Sequence, residues 1–425
     1  MEKNSAMYNK YLSLLRRELV PALGCTEPIA IAYAAAKAAE LLEGEAERFL
    51  VQCSGNIIKN VKAVIVPKTG DLKGIEASAV LGAVGGDADK RLEVLEAVTP
   101  ADLEKTRKIL KRNVCDVQLI PDTDNLHIIV TLYSGEHTAS VEIMNDHTNI
   151  TRMEKDGASV FSAEQEKSRC EEELHSMSLE EIYNFANEVN LDDVVSLLEK
   201  QITYNTAIAE EGLKNKYGAN VGATLLECYG RDVKVLAKAY PAAGSDARMS
   251  GCTLPVVINS GSGNQGITVS LPIVKYAEHL GCDKERLYRA LVLSNLTAIH
   301  QKKGIGRLSA YCGVVSAAAG SGAGIAYLHG ECLDVISRTV VNTLANVSGI
   351  VCDGAKPSCA AKIASAVDAA IMGFMMAQKG RGFNAGEGIV KENAEKTIQS
   401  VTRVGRDGMR QTDIEILNIM VEKDC

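Results

Sequence analysis

The stretch "CGVVSAAAGSGAGIAYL" (312–328) constrains the fold most. It is built almost wholly from Gly, Ala, Ser and Val. A helix made this way has no polar face to give to water, so it must be buried. Its small side chains also let neighbouring helices come close. It is shorter than the about 20 apolar residues a membrane span needs, so a buried core helix is expected. The composition agrees. Aromatic residues make up 4% of the chain, Trp is absent and there are 36 Gly. The core must come from Ala, Val, Ile and Leu.

At about 100–200 residues per domain, a chain of 425 residues suggests two or three domains. With 46% hydrophobic and 24% charged residues it reads as an ordinary soluble globular protein. The net charge of −8 disfavours nucleic-acid and anionic-membrane partners, which need a basic face. A small molecule is the expected partner, and self-association into a homo-oligomer is left open. The N-terminal "MEKNSAMYNKYLSLLRREL" lacks the apolar core of a signal peptide, so a cytoplasmic location is expected. The 12 Cys are then no disulfide framework. Cys53, Cys115, Cys228, Cys282 and Cys332 are expected to be small buried hydrophobes.

Three segments are expected, in an α+β fold. Residues 1–44 read as N-terminal helices that pack with a catalytic domain. Tyr8, Leu12, Leu15 and Leu19 have helical spacing. Thr26 is placed to N-cap a second helix, with Glu27 and Pro28 in its first turn. Residues 45–163 read as an α+β domain. "ERFLVQC" (47–53) and "VKAVIVP" (61–67) look like strands, and 74–86 and 99–113 like helices. Gly135-Glu136 and Asp156-Gly157 are expected to turn two hairpins. A charged stretch at 163–177 reads as a linker or a solvated face. From Ser178, with Glu181 in a capping box, residues 178–425 read as a large, Gly/Ala-rich, all-helical catalytic domain.

The chemistry-bearing residues fall in separate places. Cys312 opens the apolar run, while Cys352 and Cys359 stand in "SGIVCDGAKPSCAAK". Pro357 breaks any continuous helix, which puts Cys352 on a loop and Cys359 at a helix start. Thiols converging in this way suit a compact metal centre. The C-x₆-C spacing is not that of a structural zinc site. Three thiolates with one open position suit an iron–sulfur cluster, although ordinary buried cysteines give the same spacing. "SGSGNQGITVSLP" (260–272) exposes backbone N–H groups ahead of a helix, able to hold a carboxylate or phosphate. Within it Ser260, Asn264 and Gln265 are candidate substrate contacts. It is neither a P-loop nor a dinucleotide fingerprint. "AGSDARMSGCTLP" (243–255) reads as a second polar loop, with Arg248 free for a carboxylate or paired with Asp246. Cys25, at a helix entrance, is expected to have a lowered pKa. Asn56 and Lys59 follow a strand, and His147 stands in "DHTNI".

Together "PALGCTEPIAIAYAAA", "SGNIIKNVKAVIVP", "DHTNI", "SDARMSGCTLPVVINSGSGNQGITV", "GRLSAYCG" and "VSGIVCDGAKPSCAAK" resemble the L-cysteine desulfidase family. Its members lack pyridoxal phosphate and are related to the iron–sulfur L-serine dehydratases. The resemblance implies that Cys312, Cys352 and Cys359 hold a [4Fe–4S] cluster and that Cys25 accepts the substrate proton. It implies release of hydrogen sulfide, pyruvate and ammonia from L-cysteine. It also implies that 45–163 is similar to an allosteric-substrate-binding domain. L-serine, with hydroxide leaving, is the near alternative. A non-catalytic amino-acid-binding regulator is the alternative of another class. The final residue, Cys425, is a candidate cap for the open iron, as in some related serine dehydratases.

Overall fold

The computed structural model describes residues 3, 5–163 and 177–421. The charged stretch at 164–176 and Cys425 lie outside the described residues. The fold is mixed α+β and mainly helical.

Helix α1 (Ala6–Glu18) leads into strand β1 (Pro21–Leu23) and helix α2 (Thr26–Leu41). Strand β2 (Arg48–Cys53) follows, then α3 (Gly55–Val61), α4 (Gly74–Gly85) and α5 (Pro100–Leu110). Strands β3 (Cys115–Leu119), β4 (His127–Ser134), β5 (His137–Met144), β6 (Ile150–Lys155) and β7 (Ala158–Ser162) complete a six-stranded sheet of order β3-β2-β4-β5-β6-β7. The β2/β3 pair is parallel and the others are antiparallel, so the sheet is mixed. Both expected hairpins form, with Ser134 opposite His137 and Lys155 opposite Ala158. Asp156 and Gly157 both take positive φ, 51° and 77°, which matches the twist of the flanking strands. Helix α2 packs on α4 and on β4 and β5, while α1 packs against helices of the C-terminal half.

The rest is helical apart from β8 (Pro255–Val257), which pairs with β1. The helices are α6 (Leu179–Glu188), α7 (Val195–Lys214), α8 (Val221–Tyr229), α9 (Val233–Met249), α10 (Gly263–Leu280), α11 (Lys284–Lys303), α12 (Gly313–Leu328), α13 (Leu333–Val347), α14 (Cys359–Gln378), α15 (Ala394–Arg403) and α16 (Arg410–Val421). The apolar run is α12, buried along most of its length against α10, α11, α13 and α14. The close approach expected from its small residues is present: a Cβ on Gly320 would lie 2.5 Å from the Ser294 carbonyl oxygen of α11. Among the described residues only α14 is long and apolar enough to cross a membrane, and more than half of it is buried in the protein.

Four expectations need correction. Residues 61–67 form no strand. Val61 ends α3, and only Ile65 makes a single bridge, to Lys73. Strand β2 already has β3 and β4 on its two edges, so no open edge beside it remains. Residues 243–249 are not loop but the last turns of α9, which runs through Pro241. Small residues let this segment press on α7 and α8; a Cβ on Gly212 would lie 2.0 Å from the Ala243 carbonyl oxygen. Packing therefore overrides the poor helix propensity of Gly, Ser and Asp. Cys25, not Thr26, is the N-cap of α2. Of the five cysteines expected to be buried, only Cys53 is; Cys115 and Cys282 are half-buried, and Cys228 and Cys332 are exposed.

Candidate metal centre and substrate site

The β1/β8 pair sets Leu23 opposite Pro255. That holds the entrance of α2 beside the loop that enters α10. The Thr26 hydroxyl fixes the junction by donating to the Gly261 carbonyl at 2.8 Å. Buried amides hold the loop from behind. Asn205 exchanges hydrogen bonds with the Val257 backbone at 3.2 and 2.9 Å, and Asn259 donates to Asn295 Oδ1 at 2.9 Å. Ser260 takes a positive φ of 50° and its hydroxyl donates to Asn259 Oδ1 at 2.9 Å.

Asn264 and Gln265 stand in the first turn of α10, both buried. Arg248 Nη1 donates to Asn264 Oδ1 at 3.1 Å. It makes no ion pair with Asp246. Two glycines make room for these side chains. A Cβ on Gly263 would lie 2.3 Å from Arg248 Nε, and one on Gly313 2.6 Å from the Gln265 amide carbon. Gln265 therefore sits against the residue that follows Cys312.

The cysteines come together from separate elements. Tyr311 and Val351 form an antiparallel bridge. Cys312 N–H donates to the Ile350 carbonyl at 2.9 Å, and Cys352 N–H to the Ala310 carbonyl at 2.7 Å. This pairing brings the Cys312 and Cys352 thiols within hydrogen-bond reach. Cys359 opens α14 and packs with Cys25, Val64, Met249 and Ala355. Cys25 Sγ lies 3.9 Å from Met249 Sδ. Gly354 lets the loop between the thiols press on α3. Its φ is +97°, and a Cβ there would be 2.4 Å from the Lys59 carbonyl oxygen. Lys59 Nζ in turn donates to the Cys352 carbonyl at 3.2 Å.

Charge follows this packing. The hydrogen bond from Cys312 and the cations Lys59 and Lys302 bring Cys352 down to about 6, against the burial that opposes ionisation. The same shared bond, with burial, pushes Cys312 well up. Burial also raises Cys359. Cys25 departs from expectation. Burial in its apolar pocket pushes the thiol up to about 12, outweighing the nearby Arg248 and the helix entrance. Burial likewise lowers His147, so its imidazole is neutral. Lys302 is buried at the end of α11 and is pushed down to about 8 by desolvation, which the Cys352 and Cys312 thiols partly offset.

Among the described residues no three His, Cys, Asp or Glu side chains gather around one point as a single metal ion needs. An iron–sulfur cluster places each ligand on a different iron and needs no common point. A close thiol pair, a third thiol near enough to act on both electrostatically, and two buried cations to balance thiolate charge fit that group.

Several buried polar atoms here have no hydrogen-bond partner among the described residues: Asn56 Oδ1, His147 Nε2, Ser245 Oγ, Asp246 Oδ1, Arg248 Nε and Gln265 Oε1. Leaving such groups unpaired is costly, so they fit a polar ligand. Of the other cations near the site, Lys59 pairs with Asp413 at 2.5 Å. Arg307 pairs with Glu18 at 2.5 Å and Asp146 at 2.6 Å. Arg248 makes no ion pair among the described residues, which leaves its charge open to a carboxylate. His147 approaches the same loop; a Cβ on Gly261 would lie 3.0 Å from its Cε1. Asn56 donates to Asn125 Oδ1 at 3.3 Å, and Asn125 donates to the Leu308 carbonyl at 2.9 Å. Asn56, Lys59 and His147 lie in the sheet-bearing segment, so the site is shared between it and the helices.

Sequence reading missed Met249, Lys302 and Asp413. Lys302 carried no signal: it stands beside His300, Gln301 and Lys303 in a polar end of α11 that the sequence alone would give to solvent. Asp413 carried none.

A family model described as "Serine dehydratase alpha chain" matches residues 89–418. A "UPF0597 protein" of Lachnoclostridium phytofermentans is 56% identical over 98% of this chain and 100% of its own length. One from Desulfitobacterium hafniense is 50% identical over 100% and 99%. One from Finegoldia magna is 49% identical over 97% and 99%. Those names state no substrate.

Proposed function

We propose that this chain, which belongs to the serine dehydratase alpha chain family, is an iron–sulfur lyase that eliminates the β-substituent of a small L-amino acid, L-cysteine first. The family is one of iron–sulfur ammonia-lyase-type enzymes. What carries the reading is the convergence of Cys312, Cys352 and Cys359 with Cys25 and a set of buried, unpaired polar atoms. A [4Fe–4S] cluster held by the three thiolates would supply a Lewis acid with one open iron for the leaving group.

The chain's own residues would do the rest. Arg248, Asn264 and the N–H groups at the α10 entrance would hold the carboxylate and stabilise charge that builds on it as Cα loses its proton. Cys25 would take that proton. A thiol near 12 is a strong base once ionised, but only about one in 10⁵ is ionised at pH 7. Ionisation must therefore follow the substrate's ammonium group into the pocket. His147, neutral and with a free Nε2, would carry the proton onward. The Cβ–S bond then breaks, and its electron pair leaves with sulfur as hydrosulfide. The aminoacrylate takes up water and gives pyruvate and ammonia.

The packed cluster of Cys25, Val64, Met249, Ala355 and Cys359 supports sulfur over oxygen in the substrate. It is apolar and sulfur-rich, and offers a serine hydroxyl few hydrogen bonds. L-Serine elimination on the same site is the second reading.

Anaerobic reconstitution followed by iron and acid-labile sulfide analysis tests the reading. About four of each per chain are expected, with sulfide release from L-cysteine exceeding pyruvate formation from L-serine. Cys25→Ala should keep its iron and lose turnover, and Cys352→Ala should lose the iron. A chain that takes up no iron overturns the reading.

A further inference from the structure

The Cys352 loop is held by a closed ring of bonds that passes through the C-terminal helix. Cys352 N–H donates to the Ala310 carbonyl at 2.7 Å. Ala310 N–H donates to Asp413 Oδ2 at 2.8 Å. The other Asp413 oxygen accepts from Lys59 Nζ at 2.5 Å. Lys59 Nζ donates back to the Cys352 carbonyl at 3.2 Å. Both backbone polar groups of Cys352 are thus fixed by a ring in which one carboxylate bridges two elements. The Lys59 side chain is 1% exposed, so Asp413 is the charge that makes its burial tolerable. Two further contacts seat α16 here: Leu417 against Gly55, and Lys62 Nζ donating to the Met420 carbonyl.

We propose that Asp413 is a positioning residue for the Cys352 loop, and that docking of α16 and metal occupancy of the thiols are coupled through it. The proposal rests on the reading of Cys352 as a ligand. Removing Asp413 leaves Lys59 a buried cation without its counter-charge and frees the Ala310 N–H. The two bonds on Cys352, to the Ala310 carbonyl and from Lys59 Nζ, then lose the carboxylate that fixes both partners. By linkage, whatever fixes Cys352 also fixes the helix that holds its ring together.

The test compares Asp413→Ala and Asp413→Asn with Asp407→Ala, whose exposed carboxylate pairs with the neighbouring Arg406. After anaerobic reconstitution, iron loss to a chelator is followed optically. Asp413→Ala should release iron about 10- to 100-fold faster than the parent, as loss of a ligand-orienting partner does. Asp413→Asn, which keeps an acceptor for Ala310 N–H, should fall between, and Asp407→Ala should match the parent. Hydrogen exchange across 410–421 should slow on iron loading of the parent chain. Release from Asp413→Ala within about two-fold of the parent, or exchange unaffected by iron, overturns the proposal. Far-UV circular dichroism confirms that each variant is folded. If the parent takes up no iron, the lyase reading fails and the ring is judged separately: Cys352 of metal-free Asp413→Ala should be alkylated by iodoacetamide faster than in the parent. An unchanged rate overturns the ring.

Discussion

Gly354→Ala offers the sharpest check on how the thiols are held. The residue sits at φ +97°, outside the region that L side chains adopt. Forcing a left-handed backbone costs an ordinary residue about 1–2 kcal/mol. The added Cβ would also lie 2.4 Å from the Lys59 carbonyl oxygen and 3.2 Å from its carbonyl carbon. Ordinary carbon contacts begin near about 3.5 Å, so backbone must move by about 1 Å. Overpacking of this kind costs about 1–3 kcal/mol. The sum is about 2–5 kcal/mol, and the motion pulls the Cys352 carbonyl off Lys59 Nζ. Gly281→Ala isolates the conformational part. Its φ is +64° and no atom stands within 4 Å of the added Cβ, so about 1 kcal/mol is expected there. Urea unfolding of the metal-free chains gives the stability difference, and iron per chain after reconstitution gives the consequence for the site. If Gly354→Ala unfolds like Gly281→Ala and takes up full iron, the argument from close approach is wrong.

Two further substitutions probe buried charge. Lys302 sits below its ordinary pKa, so stability is lost as pH falls through about 8 and the chain must charge it. Lys302→Met should therefore stabilise the metal-free chain by about 2–3 kcal/mol at pH 7 yet lower its iron uptake, read by urea unfolding and iron analysis. Asp246 is raised to about 6 by burial, partly offset by backbone N–H groups of Gly222 and Val221. The folded chain then holds more protons than the unfolded one between about pH 4 and 6, and stability falls as pH rises through that window. Asp246→Asn should flatten this slope in unfolding measured across pH and add about 2 kcal/mol at pH 7.

Local pattern reached far into this protein. The small-residue run defined a buried helix because no other arrangement hides it. The two hairpins followed from their turn residues, and Pro357 placed Cys352 on a loop and Cys359 at a helix start. What failed depended on neighbours. Residues 61–67 have strand-like alternation, but both edges of β2 are taken. Residues 243–249 look like loop, yet their small side chains are what lets α9 press on α7 and α8. The cysteines divide the same way. Sequence marks Cys25 as a thiol at a helix entrance, a local property that favours ionisation. Only the fold surrounds it with Val64, Met249 and Ala355, and desolvation exceeds what a helix end supplies. Sequence also names Cys312 and Cys352, but not the bridge between Tyr311 and Val351 that pairs them, nor Lys302 and Asp413, which come from distant helices. Turns and caps are decided over a few residues, so the chain states them itself. Charge balance and burial are sums over everything nearby in space, and tertiary structure alone decides what is nearby.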